Sequence, residues 1–263
     1  MSEVRLAQHL ERCYAPSLAY HFYQPADPQG PCVVFLGGFR SDMGGTKALY
    51  LEEACRKRRQ PYIRFDYRGH GQSGGSFIEG TIGVWFQDAL DIIDQVASGS
   101  VLLVGSSMGG WLSLLVLKAR PERVCGLVGI AAAPDFTREI WEERMSEEQR
   151  TAMRRTGLLE VPNHYSTEPY IITKALIDDG KQHFILENRY ASHVPVRLLQ
   201  GRLDQDVIWT TALALQDTLK AGGNKDVHVV LVEEGDHRLS QPSDLALIDN
   251  TVLELSGLSG AAD

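Results

Sequence analysis

Three observations predict an α/β fold, a mostly parallel sheet flanked by helices. Apolar runs of strand length alternate with segments of helical period. The one long break in that alternation, at about residues 135–192, reads as an inserted helical cap. A serine near the middle of the chain stands between a strand run and a helix run. The 263 residues are 43% apolar, enough for one large core, and no Pro/Gly/Ser linker or repeat divides them, so residues 1–263 are expected to form a single domain.

Element by element, LAYHFY (Leu18 to Tyr23) alternates apolar and polar positions and predicts an antiparallel edge strand. Buried strands are expected at Cys32 to Leu36, Tyr62 to Asp66, Val101 to Val104, Val124 to Ile130, Val196 to Gln200 and Val227 to Val232. Between them, Trp85, Ala89, Ile92, Ile93 and Val96 share one face of a helix opened by Thr81. Leu245, Ile248, Val252 and Leu255 do the same after Pro242-Ser243. Within the break, Phe136, Ile140, Trp141 and Met145 mark one helix, Ser146 with Gln149 a capping box, Gly157 a stop, and Pro169 with Gly180 the limits of a third helix.

Composition excludes several function classes. A formal net charge of -8 argues against binding nucleic acid or an anionic membrane. The one basic run, Arg56 to Arg59, follows an apolar-periodic segment and reads as a helix C-terminus. Cys13, Cys32, Cys55 and Cys125 are scattered, with no C-x-x-C pair, which points to reduced thiols and gives no metal site. No run reaches the roughly 18 apolar residues of a membrane span. A cytoplasmic location is expected, with no cofactor.

Two G-x-S-x-G pentapeptides occur, Gly105 to Gly109 around Ser107 and Gly71 to Gly75 around Ser73. A nucleophile elbow needs a strand immediately before and a helix immediately after, so that a tight turn lifts the hydroxyl above the sheet edge. Ser107 meets both conditions: Val101 to Val104 lead in, and Trp111 to Leu117 continue until Pro121. Ser73 lies in a glycine-rich loop with no helix directly after it, and Ser106 occupies the variable position whose side chain points away from the nucleophile's side.

A neutral serine needs a base, an acid to orient that base, and donors for the oxyanion. Asp204 follows the strand Val196 to Gln200, and His237 follows Val227 to Val232, giving the order Ser, Asp, His. Asp206 is the rival acid, less favoured because it is farther from the strand end, and Asp236 adjoins the histidine and is badly placed to reach it. His164, His183 and His193 fall in the cap or its exit. His70 reads as a loop residue with Asp66 and Arg68 as local partners. The oxyanion donors are expected to be the amides of Met108, after the nucleophile, and Phe39, in the loop that follows Gly37-Gly38. Trp141, Met145, Tyr165 and Tyr170 are the candidate substrate-binding residues of the cap.

LGGFRSDMGGTKA, RFDYRGHGQSGG, LVGSSMGGWL, LLQGRLDQDVIW and GDHRLS together resemble the serine α/β-hydrolases, from the Phe35 strand to the last helix. More narrowly they resemble the acyl-protein (palmitoyl) thioesterase branch, whose animal member is mitochondrial and also hydrolyses acyl glucuronides. The resemblance implies the α/β-hydrolase fold, Ser107 as nucleophile, Asp204 as acid and His237 as base, and a small-molecule or protein-linked acyl ester or thioester as substrate. Ile208 departs from the proline that such hydrolases often carry after the acid loop's valine. Glu3 and Glu11 are unlike a mitochondrial presequence and favour a bacterial-type cytosolic enzyme. Competing readings are a cofactor-free C–C bond hydrolase or perhydrolase using the same triad, and a catalytically silent receptor, which would be expected to lack a triad member.

Overall fold

The computed structural model describes residues 6–161, 169–187 and 190–258. Strands β1 (Gln8–Leu10) and β2 (Leu18–Tyr23) pair antiparallel. Then β3 (Cys32–Leu36), α1 (Thr46–Lys57), β4 (Tyr62–Phe65), α2 (Ile82–Gln95), β5 (Val101–Ser106), α3 (Met108–Ala119) and β6 (Val124–Ile130) alternate. The insertion carries α4 (Phe136–Glu139), α5 (Glu147–Thr156), β7 (Leu158–Val161), β8 (Tyr170–Thr173) and α6 (Lys174–Gly180). Alternation resumes with β9 (Val196–Gly201), α7 (Thr210–Ala221), β10 (Val227–Val232) and α8 (Pro242–Leu255).

Eight strands form one sheet in the order β1-β2-β4-β3-β5-β6-β9-β10, parallel from β4 through β10. The side-chain period of two sorts each central strand between two cores. Val34, Leu36, Val101, Leu103 and Leu198 face α2, α3 and α7, while Val33, Phe35, Leu102, Val104 and Leu199 face α1 and α8. Strand order reverses between β3 and β5: the connection after β3 leads to β4 on one side, and that after β5 leads to β6 on the other. Loops leaving the carboxyl ends of two such strands diverge and leave a crevice, the usual ligand position in an open α/β sheet.

Four readings of the sequence need correction. LAYHFY is antiparallel but is not the edge, because β1 covers it. β1 is three residues long and mostly exposed, too short and too polar to show a strand period. The insertion is not wholly helical: β7 and β8 form an antiparallel hairpin, with Leu158 opposite Thr173 and Val161 opposite Tyr170. Ile171, Ile172 and Thr173 are β-branched and favour that strand, and a four-residue run is too short for its period to exclude a helix. Pro169 therefore precedes a strand, and Thr173 is the residue that opens α6, its hydroxyl accepting from the Leu176 amide. The Phe136-to-Met145 segment is a short α turn followed by a π turn at Ile140–Arg144, with the Met145 amide reaching back to the Ile140 carbonyl. The Ser146/Gln149 capping box and the left-handed stop at Gly157 are both present.

At the β2 end, a buried ionic cluster ties the N-terminal arm to the sheet layer. Asp88 of α2 is fully buried and accepts from the guanidinium of Arg12 at 2.6 Å, from that of Arg68 at 2.6 Å and from the Arg68 amide at 2.9 Å. Arg12 also reaches Asp91 at 2.7 Å. Removing one partner of a buried pair leaves the other charge unpaired, which costs more than the pair's net worth. Asp88→Ala is therefore expected to lower the urea-unfolding free energy by about 3–5 kcal/mol. Asp94→Ala, which breaks a half-exposed pair with Arg120, should lower it by less than about 1 kcal/mol. Equal losses in the two variants would refute the distinction.

Candidate active site

β5 delivers Ser106 at its last position and Ser107 directly after it, and α3 begins at Met108. Ser107 has φ 54° and ψ -118°, a conformation that L residues avoid. Its backbone is fixed at both ends: the amide donates to the Ile130 carbonyl at 2.9 Å, and its carbonyl accepts from Gly110 at 2.9 Å and Ala133 at 3.1 Å. The flanking glycines are required by contact. A Cβ on Gly109 would lie 2.0 Å from the Leu36 carbonyl oxygen, and one on Gly105 would lie 2.3 Å from the Gly109 carbonyl oxygen. The sharp turn thus depends on close packing of β3, β5 and the first turn of α3.

Ser107 borders a cavity of about 610 Å³ that His237 also lines. Ser106, expected on the far side, borders it as well; it remains in regular strand pairing opposite Ile130, so only Ser107 stands on the strained turn. Ser73 has a structural role away from the cavity. Its hydroxyl donates to the Asp66 carbonyl at 2.6 Å and accepts from the Ala19 amide at 2.8 Å, joining the loop after β4 to β2.

Asp204 lies in the loop after β9 and is 7% exposed. One carboxylate oxygen accepts from the amides of Asp206 and Val207, both at 2.9 Å, and the other from Gln200 Nε2 at 2.8 Å and His237 Nδ1 at 2.9 Å. Burial alone would raise the Asp204 pKa, but the hydrogen bond and charge of His237, with the two amides, outweigh it and hold the carboxyl below its ordinary value. The side chain that orients the imidazole is Asp204. Asp236 instead accepts the amides of Arg238 and Leu239, both at 3.0 Å, and shapes the turn on which His237 sits. His183 faces Asp179 at 3.6 Å, His193 is exposed, and His164 lies outside the described residues.

The loop after β3 reaches the nucleophile from the other side. A Cβ on Gly38 would stand 3.4 Å from Ser107 Cβ, so Phe39 follows at the closest approach of the two loops. Phe39 and Met108 both line the cavity, and Met108 opens a twelve-residue helix whose first amides have no partner within the helix. An amide at that terminus also carries the positive end of the helix dipole.

Of the cap residues expected to bind substrate, Met145 and Tyr170 line the cavity and Tyr165 lies outside the described residues. Trp141 does not line it. It sits on the π turn and packs within the cap, its ring under the Arg154 guanidinium at 5.4 Å and the Lys181 ammonium at 5.9 Å. Phe136, Ile140, Leu159 and Ile172 form the apolar wall instead. Two polar residues escaped the sequence reading. Gln200 braces Asp204, and Lys47 of α1 donates to the Arg238 carbonyl beside His237, with burial lowering its pKa to about 8 against the opposing effect of Asp236. Gln200 stands next to the last residue of the strand before the acid, a positional signal that could have marked it; Lys47 carried none. His70 keeps the expected contact with Arg68, through that residue's carbonyl, but Asp66 does not bond it. The Asp66 carboxylate instead accepts the amides of Met43 and Gln72.

The sequence matches the model of the alpha/beta hydrolase family over residues 33–248. The chain belongs to that family. It is 37% identical to mouse palmitoyl-protein thioesterase ABHD10, mitochondrial, over 247 residues, 94% of this chain and 81% of the relative. The fold agrees with the structure of mouse alpha/beta hydrolase domain-containing protein 10 at a TM-score of 0.87 and 36% identity, covering 95% of this chain and 98% of the other. A putative hydrolase from Agrobacterium vitis S4 gives 0.89 at 37% identity, covering 96% and 100%. Among the described residues, no helix of this hydrolase is long and apolar enough to cross a membrane.

Since Asp204 hydrogen-bonds His237 Nδ1 at 2.9 Å, the proton between them should give a low-field NMR resonance. That resonance should vanish in Asp204→Asn and survive in Asp206→Asn. Its survival in the first variant and loss in the second would exchange the two carboxylates.

Proposed function

We propose that this hydrolase cleaves acyl esters or thioesters through an acyl-serine intermediate on Ser107. The observation that carries the reading is the strained, doubly anchored Ser107 sharing a cavity with an Asp204-oriented His237. Its similarity to a palmitoyl-protein thioesterase over nearly its full length favours acyl substrates. In the proposed reaction His237 Nε2 takes the Ser107 proton as Oγ attacks the carbonyl carbon, and Asp204 stabilises the resulting imidazolium. The oxyanion is met by the Met108 and Phe39 amides. Collapse expels the alcohol or thiol, which receives the proton from His237. Water then attacks the acyl-serine by the same route, releasing the acid and restoring Ser107.

The insertion, read as a cap on this one domain, supplies the acyl side of the cavity through Phe136, Ile140, Met145, Leu159 and Ile172. The four thiols are free, which suits a reducing compartment; the cytoplasm is one, and so is the matrix of the organelle for which the animal relative is named. No cofactor enters the proposed scheme.

A fluorophosphonate should label Ser107, and Ser107→Ala should abolish turnover, whereas Ser106→Ala and Ser73→Ala keep most of it. An adduct mapped to Ser73 would overturn the assignment. Asp204→Asn should lower kcat on the order of 10⁴-fold by setting the wrong His237 tautomer, and Asp206→Asn far less.

Each methylene buried on the apolar wall contributes about 0.8 kcal/mol, roughly fourfold in rate where the contact persists in the transition state. We therefore expect kcat/KM to rise from acetyl to at least octanoyl in p-nitrophenyl esters and acyl thioesters below their micelle thresholds. Leu159→Trp should cut the long-chain rates and spare acetyl. A steady decline beyond butyryl, or turnover of β-diketones in preference to esters, would remove the long-acyl reading.

A further inference from the structure

His70 is buried, titratable and unused in the reaction above, yet it touches the loop that carries Phe39. It is 4% exposed and enclosed edge-on by the rings of Tyr67, Phe77 and Trp85, at centroid distances of 5.6, 5.1 and 5.2 Å. Its Nε2 accepts from the Arg40 amide at 3.2 Å, and its Nδ1 lies 3.4 Å from the Arg68 carbonyl oxygen. An imidazole that accepts at one nitrogen carries its proton on the other, so the geometry requires the Nδ1–H tautomer. Burial pushes the pKa of the ring down to about 4, reinforced by Arg40 and opposed by the Arg68 carbonyl and Asp88.

The Arg40 amide belongs to a turn over Gly38 to Ser41. The Ser41 amide closes it on the Gly38 carbonyl at 3.2 Å, and the Ser41 hydroxyl bonds the same oxygen at 2.7 Å. Arg40, its third residue, has φ 57°, the sign found in a type II turn and costly for a side chain larger than glycine's. The competing type I turn reverses the Phe39–Arg40 peptide. That flip would turn the Phe39 carbonyl oxygen toward the Nε2 lone pair, setting acceptor against acceptor in a site walled by aromatic rings. A neutral His70 therefore favours one of the two turns, and protonated His70 would favour the other.

We infer that His70 is a positioning residue whose Nε2 lone pair anchors the Gly38–Ser41 turn at the Arg40 amide and so keeps the neighbouring Phe39 amide of the same turn in place beside the oxyanion. This role rests on the acyl-transfer reading given above. It makes the Arg40 conformation, strained on its own, the one the surroundings select.

The test compares wild type, His70→Ala and His70→Gln on p-nitrophenyl esters, with sites counted by fluorophosphonate titration so that misfolded protein does not enter kcat. Loss of one oxyanion donor costs on the order of 10²-fold in kcat. His70→Ala is expected to lose about that much with KM changed by less than about threefold, and His70→Gln, whose carboxamide oxygen can accept from Arg40, should recover at least about tenfold of it. A loss confined to KM, a loss equal in both variants, or no loss would overturn the inference. Should neither variant fold, ¹⁵N NMR of the wild-type histidines decides. His70 should show an unprotonated Nε2 and a protonated Nδ1, unchanged from about pH 5 to about pH 8. A proton on Nε2, or titration within that range, refutes the role. A wild type unlabelled at Ser107 and inactive on every acyl substrate would instead bring down the acyl-transfer reading, leaving the tautomer measurement to stand by itself.

Discussion

The architecture of the site depends on one backbone constraint, the left-handed turn at Ser107. A residue held at positive φ persists only where its surroundings leave no alternative, and here three constraints act. The Ile130 carbonyl of β6 fixes the amide, Gly110 and Ala133 fix the carbonyl, and the Leu36 carbonyl at the end of β3 excludes any side chain at position 109. All three rely on β3, β5 and β6 being adjacent and parallel, which the eight-stranded order provides. The sheet is thus a device for ending three strands at one level. From that level the Gly38 loop, the serine and the start of α3 converge on a single cavity.

Around that level, buried carboxylates organise loops by accepting backbone amides. Asp66 holds the Met43 and Gln72 amides, Asp135 those of Ile185 and Leu186, and Asp204 those of Asp206 and Val207. Burial raises the pKa of the first two, while that of Asp204 is lowered although it too is buried. The difference is the partner. Only Asp204 among these three faces an imidazole, a group able to become cationic, so its environment favours the ionised carboxylate that can stabilise a positive charge on its neighbour. The same local device serves structure at two positions and polarises a histidine at the third.

Much of this was legible in the sequence because the signals are local and periodic. The runs at Cys32 and Val124 became strands with the expected limits, since residues buried on both faces form continuous apolar stretches, and the run at Val227 did so as an edge strand whose burial alternates. Ser107, Asp204 and His237 could be singled out because each follows a strand end in a fixed chain order, and the structure places them on those loops, with Asp204 bonded to His237 and both Ser107 and His237 on the cavity. What was not legible is set by tertiary contact. β1 is a strand only because β2 offers it an edge, and the β7/β8 hairpin declares itself only through pairing across the intervening residues. Lys47 and Gln200 reach the loops of His237 and Asp204 from elements whose own patterns are those of an ordinary helix and strand.

Trp141 shows the same limit within the cap. Apolar residues of an inserted segment can face the cavity or each other, and sequence spacing does not say which. The hairpin decides. Leu159, Val161, Tyr170 and Ile172 line the cavity and also pack on the cap's small core of Met145, Met153 and Ile177, where Trp141 joins them away from the cavity. Phe39 joins the two parts, its ring edge-on to Phe77 and Trp85 below at 5.0 and 5.8 Å and to Tyr170 of β8 at 5.8 Å. The residue proposed to offer its amide to the oxyanion is therefore also the one whose side chain packs against the cap. In the proposed reaction, acyl-chain contacts that shift the hairpin would act on the Phe39 ring and through it on the loop, so binding energy far from the scissile bond would have a packed route to the position of the amide.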